Sequence, residues 1–165
     1  MNPFLVLATQ ATASLIVFSL LAKWYVAPRL SRLPLKQALV PLLWINVFRY
    51  LPLNLFSPGQ VSADIPAATI SLIAYGDLIA GALALIAIIF LVYRIPGAML
   101  AVGVFIIVGI ADMSIAFPHA LTAKLYLYPL GFNWYVVAFY VPMVFVSQVM
   151  IAYWLFAKRT ARHAA

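Results

Sequence analysis

The chain has 165 residues, 67% of them hydrophobic and 8% charged, with ten Lys and Arg against three acids, all aspartate. A water-soluble domain carries roughly a quarter of its residues charged, so that class is excluded and a polytopic helical membrane protein is predicted. The absence of cysteine removes disulfides, thiolate metal sites and thiol redox chemistry. Nucleic-acid binding is excluded as well, because the basic residues fall in short turns between apolar runs and not along one face.

A membrane span needs about twenty predominantly apolar residues. Five such runs occur, at about 4–27, 37–56, 67–93, 98–117 and 135–157. They predict an all-α, five-helix transmembrane bundle forming a single domain over 1–165.

The first run has no positive segment before it, and its basic residues Lys23, Arg29, Arg32 and Lys36 come at or after its end. That order predicts a retained, reverse-oriented anchor and not a cleaved signal peptide. Gln10, Thr12 and Ser14 fall in its first half. In the second run, Asn46, Tyr50 and Asn54 recur at fourfold steps and would share one face of an α-helix, with Arg49 beside them. Pro52 removes a backbone donor and frees the carbonyl of Phe48 one turn earlier.

The third run carries Ser71, Tyr75 and Asp77 among the small residues Gly76, Gly81 and Ala84. The fourth carries Asp112 and Ser114 between Gly109 and Ala116, small residues that permit close helix approach. The next stretch, "FPHALTAKLYLYPLGFNWY", is long for a helix connection. It is expected to hold interfacial aromatics (Tyr126, Tyr128, Trp134, Tyr135) or to act as a lid. His119 is expected to leave the helix at Pro118. The fifth run contains Tyr140, Pro142, Ser147 and Gln148, and Pro142 frees the carbonyl of Ala138. The basic tail Lys158, Arg159, Arg162 and His163 follows.

The charges predict orientation. Eight basic residues lie on the side of the first and third turns and the tail, against Lys124 with Asp64 on the other. The positive-inside rule then places the N-terminus outside and the C-terminus in the cytoplasm, in the cell (inner) membrane.

Three ionisable residues interrupt the runs: Arg49, Asp77 and Asp112. Each is costly in hydrocarbon unless paired or hydrated. At about 1.5 Å per residue, Arg49 lies about 12 Å below the outer end of its run, Asp77 about 15 Å and Asp112 about 8 Å. One guanidinium is therefore expected to meet one or both carboxylates through charge-assisted hydrogen bonds. One Arg against two Asp leaves a surplus negative charge for a proton, a cation, a basic ligand group or water to balance. A purely architectural pair locking the helices is the alternative.

Around these charges the outer halves are polar, whereas stretches such as "LIAGALALIAIIFLV" and "AMLAVGVFIIVGI" in the inner halves are apolar. The expectation is a hydrophilic pocket open to the outside and floored by an apolar plug. Its ligand-binding candidates are Arg49, Asp77, Asp112, Asn46, Tyr50, Asn54, Tyr75, Gln148, Gln10 and Tyr140.

No phosphate-binding loop, dinucleotide fingerprint, zinc-protease helix or nucleophile elbow is present. Two histidines far apart make a haem or metal centre improbable, so no cofactor is expected. Binding or transport of a small polar or amphipathic molecule is the leading expectation. An intramembrane enzyme for a lipid, sterol-like or isoprenoid substrate, with the aspartates as acid and base, is the second. A non-catalytic subunit, with a membrane-protein partner or a second copy, is the third.

Overall fold

In the computed structural model, residues 2–163 are described, with side chains as far as Phe156. The side chains of Lys158, Arg159, Arg162 and His163 lie outside the described residues. Five helices are long and apolar enough to cross a membrane. They are α1 (Pro3–Leu30), α2 (Leu35–Phe56), α3 (Ala67–Val92), α4 (Ala98–Thr122) and α5, which starts at Asn133 and continues to His163. No strand occurs among the described residues.

Three of the helices change pitch, each at a proline. A proline ring clashes with the carbonyl four residues earlier and brings no N–H of its own. In α1 a π turn spans Ala22–Val26, centred four residues before Pro28. In α5 a π turn spans Val136–Tyr140, centred four residues before Pro142. In α2 the helix is α over Leu35–Val47 and 3₁₀ over Phe48–Phe56, the change falling four residues before Pro52. Pro118 acts differently from expectation: α4 continues through it to Thr122, so His119 remains on the helix. Its Nε2 lies 3.2 Å from the Thr69 hydroxyl of α3.

The bundle packs in two apolar layers. The larger one joins Leu39, Leu43, Ala84, Ile88, Val102, Phe105, Ile151 and Trp154 from α2 to α5. A smaller one, Val136, Tyr140 and Val144 of α5, packs against Ile45, Leu51 and Met113. Helix α1 is peripheral: no residue of Pro3–Val26 is buried. It leans on α5 through Phe18 against Phe139, ring centres 5.0 Å apart. Outward faces are strongly apolar, with Leu100 72% and Ile107 71% exposed, as the composition requires.

Candidate functional site

Between the two apolar layers, Arg49 of α2 enters the bundle and is 1% exposed. Its Nε donates to Asp77 Oδ1 of α3 at 2.7 Å, its NH2 donates to Asp112 Oδ2 of α4, and its NH1 points to the Gly109 carbonyl at 3.5 Å. The expected convergence of one cation and two acids is present. Helix pitch sets the level. Asp77 is ten residues from the start of α3, and Asp112 ten residues from the end of α4. Both are therefore about 15 Å along their helices from the same end of the bundle. Arg49 is seven residues from the end of α2, which at the 3₁₀ rise is about 14 Å.

The pitch change also decides which residues face inward. In a 3₁₀ helix, residues three apart eclipse, and the buried residues of this segment are Arg49, Pro52 and Leu55. The fourfold alignment of Asn46, Tyr50 and Asn54 expected from the sequence fails for that reason. Asn46 is fully buried, while Tyr50 is 44% exposed.

Two glycines make the cluster sterically feasible. A Cβ on Gly76 would overlap Asp112 Oδ1. A Cβ on Gly109 would overlap Gln148 Nε2 and lie 3.1 Å from Arg49 NH1. Without side chains at these positions, α3, α4 and α5 close around the guanidinium.

Further polar contacts tie α2 to α5. Asn46 Nδ2 donates to the Leu42 carbonyl and to Ser147 Oγ, both at 2.9 Å. Tyr140 donates its hydroxyl to the Ile45 carbonyl at 2.7 Å. Gln148 is 3% exposed, and its Nε2 has no hydrogen-bond partner among the described residues.

Arg49, Asp77 and Asp112 do not line the open depression nearest to them in sequence. Arg49 is enclosed, the Asp77 and Asp112 side chains are 19% and 11% exposed, and an open depression is formed by neighbouring residues. That depression, about 580 Å³, is lined by Tyr50, Leu51, Leu53, Asn54, Ser57, Gln60 and Phe132. Asn54 Nδ2 donates to Gln60 Oε1 at 3.2 Å, and the Phe132 amide points to the same oxygen at 3.5 Å.

Of the ten candidates, Arg49, Asp77 and Asp112 form the cluster, and Asn46, Tyr140 and Gln148 surround it. Tyr50 and Asn54 line the depression. Gln10 instead accepts the Trp134 indole N–H at 2.7 Å on the outside of α1. Tyr75 is 52% exposed and packs on Phe56, ring centres 5.3 Å apart. Gln60 and Phe132 were not singled out from the sequence. The only signal was an amide and an aromatic in two connections that the helices bring together.

The fold and the cluster define an all-helical protein with five helices of membrane-spanning length and composition, stitched through one Arg–Asp–Asp network. Residues 6–156 match the family described as a domain of unknown function, DUF8737, and the chain belongs to that family. No curated protein and no solved structure matches it.

Proposed function

We propose that the protein is a cell-membrane protein, N-terminus outside and C-terminus cytoplasmic, that binds a small polar or amphipathic molecule in the depression beside the cluster and transports it or passes it on. The carrying observation is the lining of that depression. Tyr50 and Phe132 offer aromatic surface. The Asn54–Gln60 hydrogen bond leaves Asn54 Oδ1 as an acceptor and Gln60 Nε2 as a donor for a ligand. Mostly apolar walls with a few convergent polar groups, in a volume of roughly 300–1,000 Å³, are the usual composition of small-molecule sites. Tyr50 adjoins Arg49 in the chain, so the ion pair anchors the segment that carries part of the lining.

Two measurements test this. The chain is naturally free of cysteine, so single cysteines at Arg32 and Lys124 report sidedness by labelling with a membrane-impermeant maleimide. Labelling from outside at 124 and not at 32 supports the orientation, and the reverse pattern overturns it. Mass spectrometry of solvent extracts then compares wild type with Asn54→Leu and Phe132→Ala. A small molecule enriched in wild type and depleted in both variants is the expected result. Extracts identical across all three proteins overturn the binding site.

A further inference from the structure

We infer that the two carboxylates of the cluster together hold one exchangeable proton, making Asp77–Asp112 a proton-binding site. The inference rests on the membrane placement proposed above, though not on the ligand. The guanidinium is committed to the two acids and the Gly109 carbonyl. With Arg49 1% exposed, its positive charge is unavailable to any further anion. Each acid keeps one oxygen, Asp77 Oδ2 and Asp112 Oδ1, that the guanidinium does not bond.

The groups facing the acids do not supply a second cation. Helix α2 contributes Arg49, and α5 contributes Tyr140, whose hydroxyl is turned to the Ile45 carbonyl. No other basic side chain pairs with either acid among the described residues. One negative charge is therefore unbalanced on acids whose side chains are only 19% and 11% exposed, and an unpaired carboxylate so far removed from water is disfavoured.

Size then selects the balancing species. Asp112 Oδ1 lies so close to Gly76 that even a methyl group there would overlap it. On the Gly76 side of that oxygen no room is left for an ammonium group or a metal ion, whereas a proton needs none. An independent sign is Gln148, a buried amide donor with no partner, beside the same Gly109 that faces the guanidinium. A donor so placed calls for an acceptor from outside the chain. Because the acids interact, the proton belongs to the pair and not to one residue.

Infrared spectroscopy of the protein reconstituted in phosphatidylcholine vesicles tests this, since the chain has only three acidic side chains. At neutral pH the wild type should show a protonated-carboxyl C=O band that shifts in D₂O. Asp77→Asn and Asp112→Asn each leave one carboxylate paired with Arg49, so each should lose the band, while Asp64→Asn keeps it. Absence of the band in wild type at neutral pH overturns the proposal, as does its full persistence in either cluster variant. Circular dichroism confirms that each variant read is helical, and one folded variant suffices. Loss of the ligand reading alone would leave the band untouched, so the two failures are distinguishable.

Discussion

Removing the cation and removing one acid should have very different costs, and the difference follows from charge count. Arg49→Met deletes both ion pairs and leaves two carboxylates facing each other across α3 and α4. Removing one partner of a buried pair costs about 3–5 kcal/mol, and here one deletion strands two acids, which puts the variant at the top of that range. Asp77→Asn or Asp112→Asn keeps the shape and an acceptor oxygen for the guanidinium. Each trades a carboxyl acceptor of the guanidinium for a neutral amide oxygen, a loss of about 1–2 kcal/mol, and leaves one cation matched to one anion.

The expected gap is thus about 2 kcal/mol or more, roughly a thirty-fold change in the folded-to-unfolded ratio. Combining the two asparagines strands Arg49 without a counter-charge and should cost more than the sum of the singles. The assay is equilibrium unfolding in mixed micelles of increasing denaturing-detergent fraction, followed by far-ultraviolet circular dichroism. A single asparagine variant as unstable as Arg49→Met refutes the reasoning. So does a double asparagine variant no worse than either single, because both results would mean that the guanidinium does not depend on the acids.

Three further outcomes follow from packing and hydrogen bonding, each read in the same unfolding assay. Gly76→Ala should destabilise by about 1–3 kcal/mol through overpacking, because its Cβ overlaps Asp112 Oδ1; Gly103→Ala, with nothing within 4 Å, should be neutral or slightly stabilising. Tyr140→Phe should cost about 1 kcal/mol, since it removes the 2.7 Å bond from the hydroxyl to the Ile45 carbonyl. Asn46→Leu should destabilise by breaking two 2.9 Å bonds, and Gln148→Leu, which breaks none to another described residue, should cost less.

The legible parts of this protein were those governed by composition and by charge conservation in a dry interior. Five apolar runs gave five helices, and an Arg with two Asp at similar depths gave one cluster, because leaving any of the three alone is too costly. The small residues near the acids were also informative. Gly76 and Gly109 stand where a side chain would collide with the network. The parts that escaped depend on local pitch. Asn46, Tyr50 and Asn54 share a face only if α2 stays α-helical; Pro52 tightens it to 3₁₀ and turns Tyr50 outward. Pro118, read as an end to α4, lies one turn before the helix stops and leaves His119 in register with Thr69.

The same pitch change explains why the polar half of the bundle is closed at its centre and open at its flank. Over seven residues a 3₁₀ segment is about 3–4 Å longer than an α-helix, and that extra length separates Arg49 from the connection at residues 57–66. Its threefold repeat commits one row, Arg49, Pro52 and Leu55, to the interior. The neighbouring row, Tyr50 and Leu53 with Asn54 beside it, is left to the depression shared with Gln60 and Phe132. Continued α-helix would have placed Asn46, Tyr50 and Asn54 on one stripe and drawn the depression toward the ion pair. Pro52 thus divides the charges from the open surface, and replacing it with alanine is the change that would let the two merge.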